Sequence, residues 1–599
     1  MNPGDYALLS DCQGAALVAR DGSIDWWCSP RFDSPSTFSR LLDPDAGHFS
    51  IRPAEDHESQ WRYVEGSMVL ETVHRSARGA VRVTDTLALS PGARGHELGL
   101  SSPHVLVRVA EGIEGECELD VEFVPRPEYG VVAPLVVACE RGVLTVGGCE
   151  RLLLETAVSL VPERGHASGR VRLRAGEQAA FVLHRWQGML SPEPAARDAG
   201  VTVEQTLDSW RSWAEMHDGY DGEYRDLVLR SGLILQALTY RPSGAVVAAV
   251  TTSFPEIPGG SSNWDYRYAW LRDSSMLARA LETATCQDEA VLYLRWMTRA
   301  AMSCSGSDHI GIVFGVEGER DLSERELDGL AGFGGAKPVR VGNEAWRQRQ
   351  LDVFGEVLLV AELLRDQLEE VDANATAFIC QLANRAADTW DQTDSGMWES
   401  RDGERHYVHS KLMCWAALDR AVSLAPTLGD LAEPERWGSV RDEIRSAIIE
   451  QGWSDELGAF TGAFGSDHLD ASVLMMPLVG FLPADDDRVL STVEVIERDL
   501  GVGDLARRFT DGEDEGAFLL VSFWLAECHA QAGEIDRARH AFEAAAAMAN
   551  DLGILPEMAD PTTGDPIGNI PQMLSHVGLI NAASAISHAM SEAQRAGRG

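Results

Sequence analysis

Basic side chains are scarce in this 599-residue chain: 51 Lys and Arg stand against 93 Asp and Glu, a formal net charge of −42. A polyanion of that size repels phosphate backbones, so nucleic acid is not an expected partner. The acidity favours a soluble surface and says nothing about mechanism. No apolar run reaches the roughly 20 residues of a membrane-spanning helix, so no membrane partner is expected. The start, Met1-Asn2-Pro3-Gly4-Asp5, lacks the basic and apolar regions of a secretory leader. The ten cysteines, among them Cys12, Cys28, Cys286, Cys414 and Cys528, include no Cys-x-x-Cys pair. They read as reduced, mostly buried thiols of a cytoplasmic protein, without a structural zinc site.

What is present divides the chain in two. Up to about residue 200, short apolar runs such as Met68–Val73, Leu152–Thr156 and Ala179–Leu183 alternate with Gly, Pro and Asp clusters. Many short strands at that spacing predict packed antiparallel sheets over 1–200. A helical stretch, Val203–His217, reads as a linker, placed within 201–224. From 225 to 599 the helical period dominates. About twelve helices are expected, at 225–241, 269–283, 287–303, 344–369, 371–390, 409–424, 434–451, 470–480, 485–499, 515–532, 535–549 and 572–591.

Long and short connections alternate between these helices. Short loops make neighbours antiparallel, so every long loop falls at one end. That is the pattern of an (α/α)6 barrel, with its working surface on the long-loop face. The fold class is therefore an N-terminal antiparallel β-sandwich followed by an (α/α)6 toroid.

The long loops carry the unusual residues. Asn263-Trp264-Asp265-Tyr266-Arg267-Tyr268-Ala269-Trp270-Leu271-Arg272-Asp273 concentrates aromatic rings, guanidinium forks and carboxylates. Aromatic faces suit the C–H faces of sugars, and charged forks suit hydroxyls. The alternative is structural: Asp265 as a helix cap and the Arg/Asp pairs as salt bridges. Trp398-Glu399 lies on one loop and Glu557 on another. Two carboxyls on one face can cut a glycosidic bond, one protonating the leaving oxygen and the other activating water. A Trp beside a carboxyl can favour the protonated form by desolvation. The alternative for each Glu is a solvated loop residue. His406, His409 and Lys411 have no carboxylate at ligand spacing, so no metal is expected.

Taken with Gly22-Ser23-Ile24-Asp25-Trp26, Pro30–Pro35, Gly342-Asn343, Gln350-Leu351-Asp352, Gly396–Glu399, His409-Ser410-Lys411 and Gly568-Asn569 through Asn581, the chain resembles glycoside hydrolase family 15 nearly end to end. This group holds glucoamylases, glucodextranases and bacterial or archaeal trehalases. The resemblance implies inversion at the anomeric carbon, with Glu399 as general acid and Glu557 as base. It implies that Arg272 and Asp273 clamp the non-reducing glucose, and that Tyr266, Trp270 and Trp398 line its pocket. Arg508 adds a fork, with Arg507 as an alternative register. No cofactor is implied. The expected partner is a small α-glucoside, trehalose first and malto- or isomalto-oligosaccharides next, and the chain is open to forming a homo-oligomer.

Ser262, Phe333–Lys337, Trp346 and Met558 depart from the family pattern and bear on the leaving-group subsite. A phosphorylase on a similar scaffold needs no catalytic base, which Glu557 argues against. A sugar-binding protein that has lost catalysis is argued against by the presence of both glutamates.

Overall fold

The computed structural model describes residues 2–187, 194–285, 287–304, 310–366, 373–401, 403–510, 515–560 and 562–596. Cys286 and Pro561 lie outside these. The nine described cysteines are free, and all but Cys139 and Cys149 are buried. No described helix is long and apolar enough to cross a membrane.

Strands fill the chain from Tyr6 to Gln187 and form antiparallel sheets. One 20-residue strand, Val105–Val124, serves two of them. Its first half pairs with Gln178–His184 and its second with Ala167–Arg174. On its other edge Gly79–Leu87 and then His48–Pro53 follow the same division. The switch is a bulge: Gly112 and Glu114 pair with successive residues, leaving Ile113 over. Such a bulge bends a strand from one sheet to the next. Gly115 sits there at φ +61°, and a β-carbon on it would lie 2.1 Å from the Arg78 carbonyl. Phe38, Phe49, Phe123 and Phe181 pack edge to face in the core of this half.

Helix α1 (Ala199–Met216) follows, opened by an Asp198 side chain that accepts from the Val201 amide. Twelve further α-helices are described. They are α2 (Arg225–Ala237), α3 (Ser274–Ala284), α4 (Gln287–Met302), α5 (Asp352–Leu363), α6 (Ala373–Thr389), α7 (Val408–Leu428) and α8 (Pro434–Gln451). Then come α9 (Met475–Leu478), α10 (Asp487–Asp499), α11 (Leu519–Gln531), α12 (Ile535–Ala546) and α13 (Met573–Ala596). Contacts run α3–α5–α7, then through the Ala471–Leu474 turn and α9 to α11, α13 and back to α3. This closed inner ring is flanked by the even-numbered helices.

Sequence explains the two rings. Every residue of α11 from Leu519 to Ala530 is buried, as an inner helix covered on all sides requires. In α10 the buried residues Val489, Thr492, Val493, Val495 and Ile496 fall on one side of the helix, one face inward.

Three expected helices begin late. Ala269–Trp270 is a strand paired with Val313–Phe314, and α3 starts only at Ser274. Glu344–Arg347 is a 3-10 turn, separate from α5. Ala517–Phe518 is a strand paired with Met558–Ala559, and α11 starts at Leu519. In all three places backbone pairing or turn geometry overrides a helix-compatible composition. The expected 470–480 helix is the Ala471–Leu474 3-10 turn running into α9.

The two halves touch directly. The Trp26 indole donates to the Val250 carbonyl at 2.8 Å, and the Ser10 hydroxyl to the Ala237 carbonyl at 2.7 Å.

Candidate active site

Inner helices start at one end of the barrel. Asp273, His409, Ser472, Phe518 and Leu574, at or near the starts of five of the six inner segments, line a single cavity of about 410 Å³. The long loops lie at this end, as their alternation predicts. All eight residues singled out from the sequence line it: Tyr266, Trp270, Arg272, Asp273, Trp398, Glu399, Arg508 and Glu557.

Glu399 stands in a loop whose neck is closed by reciprocal backbone hydrogen bonds between Asp394 and Arg405. Gly396 turns the chain at φ +67°, where a β-carbon would strike the Tyr407 ring at 2.7 Å. Glu399 itself is left-handed, at φ +60°. For a residue with a side chain that conformation costs about 1 kcal/mol or more and is held by its surroundings. The Gln348 amide supports it by donating to the Glu399 carbonyl at 3.1 Å. The carboxylate receives the Trp270 indole N–H at 2.7 Å and the Arg272 guanidinium at 2.6 Å. Arg272 also donates to Asp273 at 3.0 Å, so one fork joins both carboxylates. Burial raises the Asp273 pKa, opposed by Arg272.

Glu557 precedes the strand Met558–Ala559 in a small three-stranded sheet. The Tyr266 hydroxyl donates to its Oε1 at 2.6 Å, and the Asn569 amide to its Oε2 at 3.4 Å. Gly568 makes room: a β-carbon there would sit 2.5 Å from Oε2. Burial and then the charge of Glu256 push the Glu557 carboxyl well above the ordinary range, opposed by Tyr266 and Arg508. Burial also raises the Tyr266 phenol, followed by the Glu557 charge, so the phenol keeps its proton and donates.

Arg508, not Arg507, faces the cavity. It pairs with Glu256 at 2.7 Å and with Glu515, and its guanidinium lies 5.5 Å from the Trp398 ring centre. The Trp398 indole donates to Asp470 at 2.8 Å.

The Asn263–Asp273 stretch divides its charges. Asp265 and Arg267 form a fully buried pair at 2.7 Å, the structural alternative, and Asp265 caps no helix. Arg267 also reaches the Ser34 carbonyl and the Tyr129 hydroxyl, at 2.9 and 2.8 Å. The β half thus braces this stretch from behind, and none of its described residues lines the cavity.

Sequence reasoning missed Glu256, Arg401 and Asp470, all cavity residues. Glu256 and Arg401 are ordinary residue types whose only signal is position on a long loop, and Asp470 stands at the start of an expected helix; Trp264, in the aromatic stretch that suits sugars, also lines the cavity. Among the departures, Ser262 lines the cavity, whereas Met558, Trp346 and Phe333 do not. Met558 is fully buried and Phe333 stacks on Phe254 at 4.1 Å.

A helical barrel with paired glutamates, rings and forks at one end is the architecture of a glycoside hydrolase. The chain belongs to glycosyl hydrolases family 15, whose model matches residues 222–584; a trehalase-like N-terminal model matches 4–182. It is 34% identical to a trehalase of Mycolicibacterium smegmatis, over 99% of this chain and 92% of that one. It is 33% identical to a trehalase of Thermoplasma acidophilum, over 96% and 98%. The fold is shared with a bacterial glucoamylase solved in complex with acarbose, at a TM-score of 0.74, 14% identity, and coverage of 98% and 94%.

Proposed function

We propose that this glycoside hydrolase cleaves α,α-trehalose with inversion, Glu399 acting as general acid and Glu557 as general base. The observation that carries the reading is the tie between the two glutamates. Each is bonded to one of two side chains four residues apart, Trp270 and Tyr266, whose rings meet edge-on at 5.7 Å between centres. The carboxyls thus share one cavity and are separated by an aromatic edge.

In this reading a terminal glucose enters with Arg272 and Asp273 on its hydroxyls, drawing the fork away from Glu399. Glu399 gives its proton to the bridging oxygen as the C1–O bond breaks. A water on the opposite face forms the new C1–O bond and gives a proton to Glu557. The trehalase name of the full-length relatives supports trehalose over maltose or isomaltose. A cavity near the small end of the usual range of about 300–1,000 Å³ suits a disaccharide.

A cytoplasmic location is in keeping with the free cysteines. The division at 1–200, 201–224 and 225–599 is supported by strands ending at Gln187, helix α1 and the start of α2.

The test is proton NMR of the first products. Trehalose has two α-anomeric carbons, so inversion releases one β-glucose and one α-glucose, whereas retention releases α-glucose alone. Turnover of maltose or isomaltose and not trehalose would overturn the substrate, and α-glucose alone would overturn the mechanism.

A further inference from the structure

A second cluster of ligating side chains lies outside the active-site cavity, where the β half, helix α1 and helix α4 meet. His96 comes from the Gly95–Glu97 turn, His217 from the end of α1, and Glu289 from the first turn of α4. One ligand atom from each lies within 4.8 Å of the other two. His96 Nδ1 stands 3.1 Å and His217 Nε2 3.8 Å from Glu289 Oε1. Tetrahedral zinc with bonds of about 2.0–2.1 Å spaces its ligand atoms about 3.3 Å apart, so small side-chain movements suffice.

Each side chain is oriented through its other polar atom. His217 Nδ1 contacts the Trp213 carbonyl at 2.6 Å, and its ring lies 4.0 Å from the Trp213 indole. This directs Nε2 at the cluster. His96 Nε2 faces Asp288 at 3.2 Å. Glu289 Oε2 is held by Arg241, which also donates to the His96 carbonyl at 2.5 Å. The Trp213 indole adds a contact to Glu289 Oε1 at 3.3 Å. Such outer partners are what fix metal-binding imidazoles and carboxylates.

His96 Nδ1 faces Glu289 and its Nε2 faces Asp288; a metal on Nδ1 leaves the Nε2–H for Asp288. Glu289 and His217 are buried while the His96 side chain is 37% exposed, so the cluster lies at the edge of the interior.

We propose that His96, His217 and Glu289 form a site for a divalent transition metal, zinc by donor class, which clamps the β half and helix α1 to the barrel. Two imidazoles and one carboxylate suit zinc or cobalt and not magnesium. The ligands are far apart in the chain, so no spacing motif marks them.

The full-length protein is stripped with a chelator and titrated with zinc sulfate alone and with magnesium chloride alone. The expected results are one zinc per chain by mass spectrometry, a raised thermal midpoint with zinc and no response to magnesium. His96→Ala, at a partly exposed residue outside the active-site cavity, should lose the zinc and keep its glycosidase kcat/KM. Cobalt(II) in the unmutated protein should give the visible absorption of a four-coordinate site, which needs no variant. Failure to retain zinc, equal retention by His96→Ala, an equal response to magnesium, or a six-coordinate cobalt spectrum would each overturn the site.

Discussion

Tyr266→Phe isolates one contact in the proposed mechanism. It removes the hydroxyl that donates to Glu557 at 2.6 Å and leaves the ring against Trp270. A hydrogen bond to a charged group is worth about 1.5–3 kcal/mol. At 1.36 kcal/mol per pH unit, its loss should raise the Glu557 pKa by about one to two units. Glu557 already titrates above the ordinary carboxylate range, because of burial and Glu256. The base works ionised, so activity rises with pH through the Glu557 pKa. The variant's acidic limb should therefore move upward by that amount. At a fixed pH on the limb, kcat/KM on trehalose should fall about 10- to 100-fold, with the deficit narrowing as pH rises. The assay is kcat/KM against pH, which reports the free enzyme. An acidic limb that stays in place, or moves down, would refute the assignment of Glu557 as the base tuned by Tyr266.

Other outcomes follow from the same geometry. Glu399→Gln should lower kcat on trehalose by about 10²–10⁴-fold, with a much smaller loss on α-glucosyl fluoride, whose leaving group needs no proton. Equal losses on both substrates would remove Glu399 from the acid role. Gly568→Ala should be nearly inactive yet folded, because its methyl would sit 2.5 Å from Glu557 Oε2 at a backbone φ of +78°; unchanged kcat with an unchanged thermal midpoint would contradict this packing. Asp352 is fully buried, and burial and then Asp394 push its carboxyl up to about 8. Its raised pKa favours folding most below the unfolded value of about 3.9, and that contribution is lost as pH rises towards 8. Asp352→Asn should therefore gain thermal midpoint over the unmutated chain from pH 4 to 8, and a gap that shrinks over that range would reverse the sign.

Much of this was legible in one dimension because it rests on local rules. Strand-like runs before residue 200 and helical periods after it reflect which face of each element is covered. The alternation of loop lengths implied that six helix starts share one end, and Asp273, His409 and Leu574 meet there. Glu399 and Glu557 stood out as carboxyls on long loops beside unusual neighbours. The stretch at 269–273 was misread because a two-residue strand owes its form to a distant partner, Val313–Phe314. Glu256 and Asp470 carried no local signal, since a buried glutamate and an exposed one look alike in a sequence.

The sequence by itself determined the order of the two halves, the pairing of helices and the chemical types gathered on the long-loop face. Periodicity and turn residues act over a few positions, and those are written along the chain. Tertiary structure alone decided which charge of a pair is structural and which lines the cavity. It set Asp265 against Arg267 in the interior and left Arg272 facing Glu399. It also tied each glutamate to its own aromatic partner and brought His96, His217 and Glu289 together. Burial, desolvation and distance arise only when remote segments meet, and these quantities separate a salt bridge from a catalytic pair.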